Sequence, residues 1–298
     1  MKGFLTLKNY KPEAIQNIIN TAISFKNNDK VTVFSNKKMV TLFFENSTRT
    51  HISFQMAMLK LGITPVDVNI STSSVNKGES LYDTVKTLES IGFDGVVIRH
   101  SQNEYYKELE NINIPIFNAG DGTSDHPTQT MLDLMTIYEE FGRFEGLKVC
   151  IVGDIRHSRV AHGNAEIMKR LGMEVYIAGP ENFLDDTAPV MDIDEAIKTC
   201  DVINLLRVQF ERHSDTQELN DKVYHEKYGM TETRAKNMKK GSIIIHPAPI
   251  NRGIEIADSV VEGENSRIFA QMTNGVYIRM AVISMVLEGK LWFFLKTV

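Results

Sequence analysis

The sequence predicts an α/β protein built from two parallel-sheet domains. Three observations carry that prediction. Short apolar runs alternate with longer stretches of helical periodicity, which is the pattern of strand–helix–strand units. The alternation runs through once, is punctuated by glycines near 141–146 (FGRFEG), and then starts again. The chain has 298 residues, enough for about two domains of ordinary size. The expected division is a first domain over 1–141 and a second over 142–274. An apolar C-terminal helix of about 275–298 is expected to pack back on the first.

In the first block, Met39–Phe44 (MVTLFF) reads as a strand and Thr48–Leu61 as a helix. Ile52, Met56 and Leu59 fall on one stripe of that helix and Phe54, Met58 and Leu61 on a neighbouring one. The helix is therefore expected to be well buried. Pro65–Ile70 reads as a strand, Leu81–Ile91 as a helix, Gly95–Ile98 (GVVI) as a strand and Pro115–Asn118 as a short one. Pro127–Glu140 reads as a helix with proline in its first turn. The second block gives strands at Lys148–Val152, Glu174–Ala178, Asp201–Leu206 and Ser242–Ile245. Its helices are expected at Ser158–Leu171, ended by Gly172, and at Ile193–Thr199, with an apolar helix over Gln271–Leu287.

Composition narrows the function classes. Hydrophobic residues make up 42% and charged residues 24%, ordinary for a soluble globular chain and unlike a disordered one. With 33 Lys and Arg against 38 Asp and Glu, the net charge is −5, which argues against a binder of duplex nucleic acid. Small anions respond to local charge and stay open as ligands. Cys150 and Cys200 sit inside apolar runs and read as core thiols, giving neither a disulfide framework nor a zinc site. No apolar stretch reaches the ~20 residues of a spanning helix. The N-terminal MKGFLTLKNYKPEAI lacks a long apolar segment and a small-residue cleavage site. The expected compartment is the reducing cytoplasm.

Polar motifs sit where strands end. Ser47-Thr48-Arg49-Thr50 lies between a strand and a helix, with Ser47 at the cap position. Backbone N–H groups, hydroxyls and a guanidinium aimed at one point make a phosphate site, although S-T-R-T alone is equally a capped helix start. It is not a Walker A loop, which needs two glycines ahead of Lys-Ser/Thr. His126-Pro127-Thr128-Gln129 puts His126 outside its helix and Gln129 three residues on, so the two side chains can share a ligand or His126 can simply cap. The polar loop Ser73–Ser80 offers Lys77, and on composition alone a solvated connection is the commoner reading. Arg99 ends a strand, as do Arg156 and Arg159 in the loop GDIRHSR. That loop lacks the Gly-x-Gly-x-x-Gly of a dinucleotide site. Arg207 and Gln209, with Glu211 and Arg212, follow another strand. The turn His246–Gly253 (HPAPINRG) is rich in proline, so it presents carbonyl oxygens and few N–H donors, which suits an amino-bearing ligand or a rigid turn. No H-E-x-x-H and no tight carboxylate set is present, so no metal and no cofactor is expected.

Together these segments resemble the aspartate/ornithine carbamoyltransferase family, over about Leu42 to Arg279. The family's S-x-R-T motif is present as Ser47–Thr50 and its H-P-x-Q motif as His126–Gln129, in that order and each at a strand–helix junction. Three features resemble the aspartate branch: the lysine loop at Lys77-Gly78-Glu79, the segment Arg207-Val208-Gln209 with Glu211-Arg212, and the proline turn HPAPINRG, where the ornithine branch has H-C-L-P. Arginines also suit a diacid and would repel the side-chain ammonium of ornithine. His51 and Gln55 stand where the family often has arginine and glutamate.

The resemblance implies a carbamoyltransferase fold with its active site in the interdomain cleft. It implies transfer of the carbamoyl group of carbamoyl phosphate to L-aspartate, giving N-carbamoyl-L-aspartate and phosphate, in de novo pyrimidine biosynthesis. An ornithine or related carbamoyltransferase and a catalytically silent scaffold homologue are the alternatives. By the same resemblance, Ser47, Thr48, Arg49, Thr50 and Arg99 hold the phosphate. Thr50, Arg99 and His126 donate to the carbamoyl oxygen, while Gln129 and the carbonyls of Ala248 and Pro249 hold the carbamoyl NH₂. Arg49, Thr50, Arg99 and His126 are thus the catalytic set, and Lys77, Arg159, Arg207 and Gln209 the L-aspartate set. The family's catalytic unit is a homotrimer in which the lysine loop reaches a neighbour's site. Separate regulatory chains or pathway enzymes are possible partners, which the sequence does not decide. The apolar Leu291–Val298 (LWFFLKTV) is not explained by the resemblance.

Overall fold

The computed structural model describes residues 2–29, 31–70, 77–208 and 220–291. Contacts divide the chain into a first unit running to Met135 and resuming at Met272, and a second unit, Thr136–Gln271.

The first unit is built on a five-stranded, wholly parallel sheet: β1 (Gly3–Phe4), β2 (Lys38–Phe43), β3 (Thr64–Val68), β4 (Gly95–His100) and β5 (Ile116–Asp121), in the order β1-β5-β4-β2-β3. Val40 of β2 pairs with Val96 of β4 on one side and Val66 of β3 on the other. Central parallel strands are covered on both faces, and MVTL and GVVI are accordingly continuous apolar runs. Helices α1 (Pro12–Lys26), α2 (Thr48–Lys60) and α3 (Leu81–Ser90) accompany the sheet, and α4 (Pro127–Phe141) begins in this unit. Ser80 caps α3, its hydroxyl accepting from the Asp83 N–H at 3.0 Å.

The second unit carries a four-stranded parallel sheet: β6 (Lys148–Val152), β7 (Glu174–Ala178), β8 (Val202–Leu205) and β9 (Ile243–Ile245), in the order β7-β6-β8-β9. Its helices are α5 (Arg159–Arg170), α6 (Ile193–Thr199), α7 (Asp221–Tyr228), α8 (Glu232–Lys236) and α9 (Asp258–Val261), and α10 (Ile268–Leu287) starts within it. Cys150 and Cys200 are free and buried, and burial raises both thiols, Cys200 to about 11. Among the described residues no helix is long and apolar enough to cross a membrane.

In each unit the chain leaves one strand, adds a neighbour on one side, then crosses to the other side. The reversals fall between β2 and β4 and between β6 and β8. Open α/β sheets bind ligands at such points, beyond the carboxyl ends of the strands.

Helix α2 departs from the expectation of burial on both stripes. Phe54, Met58 and Leu61 are fully buried, whereas Ile52, Met56 and Leu59 are 53%, 43% and 57% exposed. The sheet can cover only one side of a helix, so the second apolar stripe faces outward.

Candidate active site

In the first unit the reversal between β2 and β4 is lined by the S-T-R-T segment and Arg99. Ser47 occupies the cap position of α2, but its side chain makes no capping hydrogen bond, contrary to its expected role. The N–H groups of the first turn are therefore not consumed by the Ser47 hydroxyl. Thr48 and Arg49 are exposed, Ser47 is half-buried and Thr50 is buried. The arrangement is that of a helix terminus able to receive an anion, with Arg49 in its first turn.

Arg99, at the end of β4, is fixed from two directions. Its Nε donates to Glu45 Oε2 at 3.1 Å and its Nη1 to the Ala119 carbonyl at 3.4 Å. Glu45 opens the polar segment Glu45–Thr50, where sequence reasoning assigned it no role of its own, and it joins Arg99 to the loop that leads into α2. The third contribution comes from the strand on the other side of β4. Beyond β5, Pro127 opens α4 and His126 stands just outside it, accepting with its carbonyl from the N–H groups of Gln129 and Thr130. His126 is 7% exposed, with Nε2 3.5 Å from the hydroxyl of Thr50. Gln129 is held by Asp133, whose carboxylate accepts from its Nε2 at 2.9 Å. That bond orients the amide so that its oxygen is the acceptor left for an N–H donor. Asp125, which accepts from the His126 N–H, is pushed up to about 6 by burial, with the Asp121 charge adding to the shift and a hydrogen bond from Thr6 opposing it.

A residue that sequence reasoning did not assign, Arg279, braces this arrangement from below. Its guanidinium is buried, donates to Ser53 Oγ at 3.0 Å and Thr128 Oγ1 at 3.2 Å, and thereby links α2 to the first turn of α4. It also donates to the Gly275 carbonyl and stacks 5.0 Å from the Phe54 ring centre. Desolvation lowers it to about 9. Gly275 makes room for it, since a Cβ there would stand 2.6 Å from an Arg279 nitrogen. His51, where the family often has arginine, is used locally. Its Nε2 lies 2.8 Å from Asp67 Oδ1, 3.0 Å from Thr41 Oγ1 and 3.2 Å from Gln55 Nε2.

In the second unit the reversal between β6 and β8 is flanked by two arginines. Arg159 is the first residue of α5, whose cap Ser158 accepts from the Ala161 N–H at 3.1 Å. Arg207 lies two residues past β8, and both arginines are half-buried. The β6 loop passes under the end of β8 at Gly153 (φ +133°), where a Cβ would meet the Leu206 side chain at 3.0 Å. Arg156 is spent on structure, donating from Nε and Nη2 to the Leu184 carbonyl. Beyond β9 the proline turn has a cis peptide between Ala248 and Pro249, and Ala248 has φ +55°. The turn is tied to the segment after Arg207 by Asn251 Nδ2, which donates to the Val208 carbonyl at 3.1 Å.

The structure thus gathers Ser47–Thr50, Arg99, His126 and Gln129 at the ends of β2, β4 and β5. It gathers Arg159, Arg207 and the Ala248–Pro249 turn at the ends of β6, β8 and β9. Lys77 is exposed ahead of α3 and makes no hydrogen bond or ion pair to any described residue. Gln209, Glu211 and Arg212 lie outside the described residues, as do residues 292–298 of the apolar C-terminal segment. Among the described residues no group of three or more His, Cys, Asp or Glu side chains could hold a metal ion.

The same two-part organisation is found in known proteins. The carbamoyl-phosphate-binding domain of aspartate/ornithine carbamoyltransferases matches residues 2–139, and the aspartate/ornithine-binding domain matches residues 145–286. The chain is 49% identical to the aspartate carbamoyltransferase catalytic subunit of Listeria welshimeri over 294 residues, covering 97% of each chain. It is 50% identical to that of Staphylococcus carnosus over 292 residues, again covering 97% of each. Among solved structures, the catalytic subunit of M. Jannaschii aspartate transcarbamoylase superposes with a TM-score of 0.85 at 30% identity, covering 97% of this chain and 99% of that one. The Trypanosoma cruzi aspartate transcarbamoylase in complex with carbamoyl phosphate and aspartate superposes with a TM-score of 0.83 at 28% identity, covering 95% of each. With both of its domains matched in order along most of its length, the chain belongs to the aspartate/ornithine carbamoyltransferase family.

Proposed function

We propose that the chain is an aspartate carbamoyltransferase that uses the residues described above in the following roles. Carbamoyl phosphate binds at the start of α2, its phosphate received by Ser47, Thr48, Arg49, Thr50 and Arg99. Thr50, Arg99 and His126 donate to the carbamoyl oxygen. The carbamoyl NH₂ donates to Gln129 and to the carbonyls of Ala248 and Pro249. Arg159 and Arg207 take the two carboxylates of L-aspartate, with Lys77 and Gln209 assisting. The amine of aspartate attacks the carbamoyl carbon; the new C–N bond forms as the C–O bond to phosphate breaks. The amine's proton leaves with the phosphate, so no separate protein base is required. Catalysis then consists of overcoming the repulsion between two anions and stabilising charge on the carbamoyl oxygen.

The observation that carries this reading is the juxtaposition at the first sheet's reversal. Polar groups from three adjacent strand ends are set by their neighbours: Arg99 by Glu45, the Gln129 amide by Asp133, and His126 beside the buried Thr50. The product, N-carbamoyl-L-aspartate, belongs to de novo pyrimidine biosynthesis, and we place the reaction in the cytoplasm. A homotrimer is the assembly we propose. The exposed stripe Ile52–Met56–Leu59 lies on the same helix as Arg49 and Thr50, and Lys77 makes no bond within the described chain, so a second copy has both a surface to cover and a lysine to offer.

The test is an assay of purified protein with carbamoyl phosphate and either L-aspartate or L-ornithine, scored for ureido product. Product with aspartate and none with ornithine is the expected result. Citrulline formation would assign the protein to the other branch, and absence of any ureido product would leave a silent homologue.

A further inference from the structure

We propose that His246, clamped by Glu255, is a positioning group for the carbamoyl-binding turn: a neutral imidazole carrying its proton on Nε2 that fixes where the Ala248 and Pro249 carbonyls point. The inference rests on the reading that those carbonyls receive the carbamoyl NH₂.

The turn cannot hold itself. Pro247 and Pro249 have no N–H, so between His246 and Ile250 the Ala248 N–H is the one backbone donor. That donor is spent on a side chain: it donates to His246 Nδ1 at 2.8 Å. An imidazole nitrogen that accepts carries its lone pair outward, so the ring proton resides on Nε2. Nε2 then donates to Glu255 Oε1 at 3.2 Å. The same carboxylate oxygen accepts from the Asn251 N–H at 2.6 Å. One oxygen therefore ties the entry of the turn, through the imidazole, to its exit, through the backbone of residue 251. The His246 N–H donates to Gln271 Oε1 at 2.8 Å and fixes the ring's own root.

The arrangement is expensive in isolation. The side chains of His246 and Glu255 are 0% and 1% exposed, and Oε2 of Glu255 has no hydrogen-bond partner among the described residues. A carboxylate buried with one oxygen unused is costly unless the other oxygen does necessary work. Ala248 adds to the cost, since φ +55° is a conformation an L-residue adopts only when its surroundings over-determine it. The second cost falls at the residue whose carbonyl is assigned to the substrate, and the first at the carboxylate that ties the two ends of its turn. Neither His246 nor Glu255 needs to reach the reacting atoms for this purpose; they act through the turn.

The test compares His246→Asn with His246→Gln. The asparagine oxygen reaches the position of Nδ1 and can still accept from the Ala248 N–H. Glutamine carries its amide at the position of Nε2 and leaves that N–H unpaired. Dissociation constants are measured for carbamoyl phosphate and for inorganic phosphate, alongside turnover with L-aspartate. His246→Gln is expected to lose about tenfold or more in carbamoyl phosphate affinity while inorganic phosphate affinity is retained. His246→Asn is expected to recover most of that loss. A purely structural role would move both constants together. Equal behaviour of the two variants, or an unchanged ratio of the two constants in His246→Gln, overturns the proposal while wild-type activity stands. Wild-type protein that carbamoylates no aspartate overturns the functional reading, and this one with it. Should His246→Gln not fold, ¹⁵N spectra of histidine-labelled wild type decide: an Nε2–H signal that vanishes in His246→Asn supports the proposal, and an Nδ1–H tautomer contradicts it.

Discussion

At the scale of single residues, the chemistry assigned to the first unit depends on groups whose directions are set by their neighbours. His126 is the clearest case: the first turn of α4 is built so that its ring stands outside the helix and beside Thr50. A donor to an oxygen that gains charge in the transition state contributes more to turnover than to binding. His126→Ala should therefore lower kcat by a factor approaching 10²–10³ as an upper guide, with a smaller change in KM for carbamoyl phosphate. Steady-state kinetics at saturating substrates check this, and full turnover in the mutant would reduce His126 to a helix cap. Its neighbour Asp125 supplies a stability prediction. Burial holds its carboxyl at about 6 against an ordinary 3.8. A carboxyl raised in the folded state favours folding when protonated, so its contribution is full below 3.8 and lost as pH rises through 6. Asp125→Asn, neutral at every pH, should thus raise Tm relative to wild type at pH 7.5. The stabilisation is at most about 3 kcal/mol. The gain should vanish by pH 4, and thermal denaturation at the two pH values reads it directly.

The motif residues were legible in the sequence because their roles follow from local position: proline after His126 puts the histidine outside a helix, and S-T-R-T between strand and helix puts Arg49 in the first turn. Asp133 lies one helical turn from Gln129, a spacing the sequence shows, whereas the partners of Glu45 and Arg279 come only through the fold. Glu45 meets an arginine 54 positions away, and Arg279 meets a serine 226 positions away. Arg156 was indistinguishable from Arg159 by composition, and only the Leu184 carbonyl shows which of them is spent on structure.

At the scale of elements, strand order decides what the sequence pattern could not. Alternating strands and helices predicted parallel sheets, and the apolar runs became β2, β4, β6 and β8. Their order, and hence the two reversals where the arginines and hydroxyls gather, is not encoded in periodicity. β1 spans two residues and offers no pattern to read. The N-terminal helix α1, by contrast, carries proline at its start and Ile15, Ile18, Ile19, Ala22 and Phe25 at helical spacing, a signal the strand–helix reading above did not take up. Helix α2 shows the limit of apolar periodicity. It has two adjacent apolar stripes, and spacing alone does not tell which one meets the sheet. The outward stripe of Ile52, Met56 and Leu59 implies a further packing surface. Replacing Met56 and Leu59 together by glutamate should leave the monomer folded, because both side chains are exposed, and shift the protein to a smaller assembly. Light scattering after size exclusion would detect it, and an unchanged mass would remove α2 from any subunit contact.

At the scale of the whole molecule, the proposed trimer makes a prediction that no single chain satisfies. Lys77→Ala and Arg49→Ala proteins should each lose most of their activity at substrate concentrations that suffice for wild type. If the lysine loop serves a neighbouring site, mixing the two after dissociation should restore a fraction of normal activity, because some hybrids pair an intact Lys77 with an intact Arg49. Subunit exchange without recovery would mean that Lys77 serves its own chain.

The central claim is that carbamoyl phosphate is bound by the first unit and L-aspartate by the second, in a single transfer reaction. Two-substrate kinetics of wild type, Arg49→Ala and Arg207→Ala test it most directly. Wild type should form one N-carbamoyl-L-aspartate per phosphate released. Arg49→Ala should raise the KM for carbamoyl phosphate and Arg207→Ala that for L-aspartate, each by about tenfold or more, the value of a charge-assisted hydrogen bond to an anion. An Arg207→Ala enzyme with unchanged dependence on aspartate, or phosphate released by wild type without ureido product, would contradict the account.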